Sequence, residues 1–88
     1  MSEAARIDDF LNTLRAERGA ADNTVDAYRR DLEDASAYCS AAGGRLDEAA
    51  ESDLRGYVRD LDARGLSSAT VARRLSALRR YYRFLLAE

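Results

Sequence analysis

The fold is decided by residues 65–88, which read GLSSATVARRLSALRRYYRFLLAE. Apolar side chains recur in this stretch every three or four residues, which is the spacing of one face of an α-helix. No proline or glycine interrupts it after Gly65, and Ser67 or Ser68 is a suitable N-cap. The pattern predicts an amphipathic helix over residues 68–86. Its apolar stripe consists of Val71, Leu75, Leu78, Tyr82 and Leu85.

Three further helices are predicted upstream, over about residues 3–18, 23–41 and 52–64. The expected N-cap is Asp22 or Asn23 for the second helix and Ser52 for the third. Short connections keep successive helices adjacent, so we expect an all-α, compact four-helix bundle that forms one domain over residues 1–88. The apolar stripes of these three helices are Ile7, Phe10, Leu11 and Leu14, then Val25, Tyr28, Leu32, Ala35 and Cys39, then Leu54, Tyr57, Val58 and Leu61.

The composition excludes several kinds of site. Histidine is absent and Cys39 is the only cysteine, so one chain can build neither a disulfide nor a thiolate or imidazole zinc site. Ser-His-Asp and Cys-His catalysis are excluded for the same reason. We predict no catalytic residue, no metal site and no cofactor within these 88 residues.

The sequence contains no apolar run of the ~18 residues that cross a bilayer. Its first ten residues, MSEAARIDDF, lack the basic and then apolar pattern of a signal peptide. We therefore expect a cytoplasmic protein with no membrane partner.

Charge is distributed unevenly along the chain. The net charge is −2, but residues 1–65 carry nine arginines and fifteen acids whereas residues 66–88 carry five arginines and Glu88 alone. On a helical wheel, the residues opposite the apolar stripe of the fourth helix are Arg73, Ser76, Arg80 and, less directly, Arg83. Arg30 is placed outward on the second helix in the same way.

Such a basic face is open to two interpretations. An arginine-rich outer face on an amphipathic helix is most often a solvated face, or it meets an acidic partner in a helical protein-interaction module. Alternatively it fits the major groove of DNA, where arginine pairs with guanine and hydroxyls hold phosphates. Tyr81 and Tyr82 are interpreted as core or boundary aromatics rather than as stacking platforms.

Two segments carry a family resemblance: NTVDAYRRDLEDASAYC at residues 23–39 and the stretch at 65–88. FLNTLRAERGAADNT at residues 10–24 and DLRGYVRDLDARGLS at 53–67 extend it over essentially the whole chain. Together they resemble the N-terminal core-binding, or SAM-like, domain of tyrosine recombinases and phage-type integrases. The resemblance is greatest to the XerC/XerD group and, within this group, is closer to XerD than to XerC.

The resemblance implies sequence-specific binding of double-stranded DNA, as the N-terminal arm of a clamp that grips a recombination half-site through the major groove. It implies partner recombinase subunits in a tetramer, a role in chromosome dimer resolution, and a separate catalytic domain outside this chain. The isolated domain is then not an enzyme. Asp26 lies on the proposed face, where it would repel phosphate or accept a hydrogen bond from cytosine. The implied DNA-facing residues are Thr24, Ala27, Arg30, Ala69, Thr70, Arg73 and Ser76, to which the helical wheel adds Arg80.

Overall fold

The computed structural model describes residues 2–87, without the side chain of Arg18. Met1 and Glu88, the ends of the predicted domain, lie outside the described residues. The described chain is helical and contains no strand, which confirms the prediction of an all-α fold. Its helices are α1 (Glu3–Arg18), α2 (Asp22–Ala41), α3 (Glu51–Ala63) and α4 (Ser68–Ala87), and a short 3₁₀ turn (Leu46–Glu48) lies between α2 and α3.

Side-chain caps fix the starts of α1 and α4. The hydroxyl of Ser2 accepts a hydrogen bond from the Ala5 amide at 3.1 Å, and the hydroxyl of Ser67 accepts one from the Thr70 amide at 3.2 Å. Each bond satisfies one of the amides that have no partner within the helix. Gly19 ends α1 with a left-handed φ of 59°, a conformation that costs glycine little.

The predicted caps of α2 and α3 are wrong. Asp22 is the first residue of α2 rather than its cap, and its carboxylate lies in the first turn, where negative charge is favourable. Ser52 lies inside α3, which begins at Glu51. The carboxylate of Asp53 reaches back to the Ala50 amide at 3.0 Å and stabilises this start instead.

One hydrophobic core joins the four helices. The predicted stripes of α1 and α2 are buried along their whole length, whereas Leu54 and Val58 of α3 are only partly buried. The 3₁₀ turn contributes Leu46, which is fully buried. The buried core residues are Ile7, Phe10, Leu11, Leu14, Val25, Tyr28, Leu32, Ala35, Cys39, Leu46, Tyr57, Leu61, Ala77, Leu78 and Tyr81.

The buried face of α4 differs from the predicted stripe. Ala77, Leu78 and Tyr81 are its buried residues, whereas Val71 and Tyr82 are only partly buried. The helix is therefore turned by roughly 70° from the predicted orientation, at 3.6 residues per turn. The cause is Tyr81, whose ring packs edge-on against Phe10 with centroids 5.6 Å apart and whose hydroxyl donates to Asp47.

Within residues 2–87, none of the helices is both long and apolar enough to cross a membrane.

Candidate nucleic-acid interface

The outer side of α4 carries a basic stripe, which we call the α4 stripe and define as Ala69, Arg73, Ser76, Arg80 and Arg83. These positions are three or four residues apart and so share one side of the helix. All are exposed except Ser76, which is half-buried. No acidic residue occurs anywhere in α4. The helix therefore presents arginine and small residues outward, without a carboxylate of its own.

The predicted positions on α2 are less uniform. Thr24 and Arg30 are exposed and Ala27 is half-buried, so all three are accessible to a partner. Asp26 is exposed as well, which keeps a negative charge on the first turns of this helix. The α2 face thus offers one arginine and one acid.

Arg73 and Asp31 join the two faces. The Nε–H and an Nη2–H of Arg73 donate to the two carboxylate oxygens of Asp31, each at 2.9 Å. Asp31 is only 1% exposed and the Arg73 side chain 43% exposed. The helical wheel placed Arg73 directly opposite the buried face of α4. Because the helix is turned toward Tyr81, Arg73 lies on its flank instead. The hydrogen bonds that Arg73 donates to Asp31 raise the pKa of Arg73.

Asp34 extends this network to α3. Its carboxylate accepts hydrogen bonds from Tyr57 at 2.6 Å, from Arg74 at 2.7 Å and from Arg64 at 2.9 and 3.0 Å. Burial acts to raise the pKa of Asp34, but the bonds from Arg64 and Tyr57 and the charges of Arg74 and Arg64 outweigh it. The pKa of Asp34 therefore lies below its usual value.

The network is electrically balanced. Its three arginines, Arg64, Arg73 and Arg74, face three carboxylates, because Asp60 also pairs with Arg64. These guanidinium groups consequently add little net positive field at the surface. Asp31 is an acid directly beside Leu32 on the apolar side of α2, and this position is the one sign of the network in the sequence.

The uncompensated positive charge comes from other arginines. Within the part of the chain that the structure describes, no carboxylate lies within 4.0 Å of the guanidinium groups of Arg30, Arg79, Arg80 or Arg83. All four side chains are exposed. Arg80 and Arg83 belong to the α4 stripe, and Arg79 lies beside it. This surface can attract an anion without first breaking an ion pair.

The tyrosines of α4 are structural, as interpreted from the sequence. Tyr81 is fully buried, and Tyr82 donates its hydroxyl to the Leu46 carbonyl at 2.8 Å. Burial raises the pKa of both phenols. Neither ring is available as a nucleophile or as a platform for a nucleic-acid base.

Comparison with known proteins identifies the family. Residues 7–88 match the model of the phage integrase N-terminal SAM-like domain. The chain belongs to this family. The resemblance and the SAM-like fold expected from the sequence are thereby confirmed. No solved structure was found to match the chain.

This SAM-like domain has similar counterparts in tyrosine recombinases. It is 54% identical to tyrosine recombinase XerD of Bradyrhizobium diazoefficiens over 90% of the chain, 51% identical to XerD of Caulobacter vibrioides over 92%, and 48% identical to XerD of Rhizobium meliloti over 97%. It spans about a quarter of the length of these relatives, 25%, 27% and 27% respectively. The matches cover the core-binding part of a tyrosine recombinase and leave the catalytic region outside these 88 residues.

Proposed function

We propose that this SAM-like domain binds double-stranded DNA as the N-terminal clamp arm of a site-specific tyrosine recombinase. The observation that carries the proposal is the α4 stripe, where Arg80 and Arg83 are exposed and have no acidic partner among the described residues. Exposed arginines on an acid-free helix are suited to neutralising phosphates. Membership of the family supports the same role.

The side chains suit docking of α2 and α4 in the major groove, which admits an α-helix. In this arrangement, Arg30 and Arg80 would contact phosphates on either side of the groove. The Thr70 hydroxyl accepts a hydrogen bond from Ser67 at 3.0 Å, so its own proton is free to donate to a phosphate oxygen. Ala27 and Ala69 are small enough to let the groove wall approach closely.

The domain acts in the cytoplasm, with its own catalytic domain and with partner recombinase subunits in a tetramer on two half-site-bearing duplexes. Recombination of this type resolves chromosome dimers. A net charge of −2 indicates that this domain orients the protein on DNA and supplies only part of the affinity.

The test is a salt titration of duplex DNA binding by the 88-residue chain, followed by fluorescence anisotropy. Between roughly 50 and 200 mM KCl, affinity should fall linearly in a double-logarithmic plot. Arg80→Ala should weaken binding to every duplex and reduce the slope by about 1. The matched control is Arg59→Ala on α3, an exposed arginine that also has no carboxylate partner among residues 2–87.

Equal losses for Arg80→Ala and Arg59→Ala would show that binding is not localised to the α4 stripe. Absence of duplex binding at the lowest salt, together with a salt-independent homodimer, would favour a protein-interaction module.

A further inference from the structure

Asp31 occupies only one edge of the Arg73 guanidinium. A guanidinium has five N–H donors, and Asp31 accepts the Nε–H and one Nη2–H. Both Nη1 protons and the second Nη2 proton are left over. Among residues 2–87, no acceptor is hydrogen-bonded to Nη1. The second Nη2–H and one Nη1–H form a planar two-donor fork at the end of the guanidinium that Asp31 does not cover, whereas the other Nη1–H points back along the side chain. The Arg73 side chain is 43% exposed.

The carboxylate also changes what Arg73 is suited to bind. Asp31 balances its charge, so Arg73 attracts a phosphate less than the unpaired Arg80 does. The donors of the fork keep their hydrogen-bonding capacity. A pair of neutral acceptors in one plane is therefore a better match than a phosphate, and in the major groove the O6 and N7 atoms of guanine provide that pair.

We infer that Asp31 is a positioning residue that holds Arg73 for bidentate recognition of one guanine in the major groove. The inference rests on the proposed DNA binding. It assigns different roles to two arginines of the α4 stripe: Arg80 contributes affinity for any sequence, and Arg73 contributes sequence preference. Arg74 pairs with Asp34 at 2.7 Å, and its Nε also lies 3.5 Å from Asp31. Its side chain is only 17% exposed, so Arg74 is less accessible to DNA than Arg73.

The test begins by selecting preferred duplexes from a randomised pool with the 88-residue chain. Each guanine of the selected duplex is then replaced in turn by 7-deazaguanine, which lacks the N7 acceptor. We expect one position where the replacement weakens binding by about tenfold. In Arg73→Met, which keeps much of the side-chain length but has no N–H donor, the same replacement should have no effect.

Asp31→Asn separates positioning from charge. This variant should lose most of the discrimination against 7-deazaguanine while keeping the salt slope of the wild type. Asp34→Asn is the matched control, because Asp34 belongs to the same network but makes no hydrogen bond with Arg73. This variant should discriminate against 7-deazaguanine as strongly as the wild type does. In free protein, the Arg73 Nε–Hε proton should exchange slowly with water, and rapidly in Asp31→Asn.

The outcomes distinguish the two proposals. If Asp31→Asn does not fold by circular dichroism, Arg73→Met still decides the matter. Duplex binding that depends on Arg80 but is unaffected by every 7-deazaguanine replacement would overturn the role of Asp31 and Arg73 and leave the proposed DNA binding standing. Full discrimination against 7-deazaguanine by Asp31→Asn or by Arg73→Met would also overturn that role. No duplex binding by any form of the chain would overturn both proposals.

Discussion

Asp31 and Asp34 lie three residues apart on α2, and both point toward the arginines of α4. A buried or half-buried carboxylate is stable only when hydrogen bonds replace the water that it has lost. Arg73 does this for Asp31, and Tyr57, Arg64 and Arg74 do it for Asp34. The two acids thus connect three helices around one polar cluster.

At the residue scale, we predict that Asp34 makes stability depend on acid pH. Its folded-state pKa is below the usual value, so its contribution is complete above about pH 4 and is lost as pH falls through the lower folded-state pKa. Asp34→Asn should lower the unfolding free energy at pH 7 by roughly 1–3 kcal/mol. It should also flatten the decline below pH 5.

Urea denaturation at several pH values measures this effect. The control is Asp62→Asn, which changes an exposed acid of α3 that has no arginine partner among the described residues. The prediction would be contradicted if the unfolding free energies of the wild type and of Asp34→Asn changed in parallel with pH.

Periodicity predicted which residues of α1 and α2 are buried, because their apolar stripes are unambiguous. It could not predict the Asp31 and Asp34 network, because hydrogen-bond partners 23 to 42 residues apart depend on how the helices pack. The DNA-facing residues came from family position and, for Arg80, from the helical wheel, and they stay a prediction. The structure shows only how far these residues are exposed.

Among the helices, α4 differs most from its sequence pattern, because its buried face is turned from the predicted stripe. Ala77 and Tyr81 lie next to Leu78 and Tyr82, so the sequence allows two neighbouring buried faces. The choice depends on Asp47 in the connector, which accepts hydrogen bonds from Tyr81 and Arg6. A contact of this kind is not visible in the periodicity of a single helix.

Tyr81→Phe tests this explanation. The variant keeps the ring that packs on Phe10 but removes the donor to Asp47, and should cost about 1 kcal/mol of unfolding free energy. Tyr38→Phe is the control, because no hydrogen bond from the Tyr38 hydroxyl is present among residues 2–87, and its effect should stay within about 0.5 kcal/mol. If Tyr81→Phe and the wild type are equally stable in urea denaturation, the hydrogen bond to Asp47 does not determine the orientation of α4.

The start of α4 gives a second prediction at this scale. Ser67→Ala removes the hydroxyl that accepts the Thr70 amide and should lower stability by about 1 kcal/mol. Ser68→Ala changes the adjacent serine, which lies inside the helix and is exposed, and should be nearly neutral. Thermal unfolding of both variants measures the difference, and a larger loss for Ser68→Ala would place the cap one residue later.

At the scale of the whole molecule, the charges are sorted between surfaces. Apart from Glu88, the acids lie on α1 to α3 and in their connections, and the only charged residues of α4 are arginines. An overall charge of −2 is therefore compatible with one DNA-attracting face. In the proposed DNA complex, this asymmetry would orient the domain on approach to the duplex with α4 leading.

The most direct test of the account is an amide chemical-shift titration of the ¹⁵N-labelled chain with a short DNA duplex at low salt. We expect the largest amide chemical-shift changes on the outer faces of α2 and α4. These changes should become smaller when the Arg80→Ala variant is titrated in the same way. The residues expected to respond are Thr24, Ala27, Arg30, Ala69, Thr70, Arg73, Ser76 and Arg80. Shifts centred on the outer face of α3 around Arg55 and Arg59, or no shifts at all, would contradict the assignment of this surface to DNA.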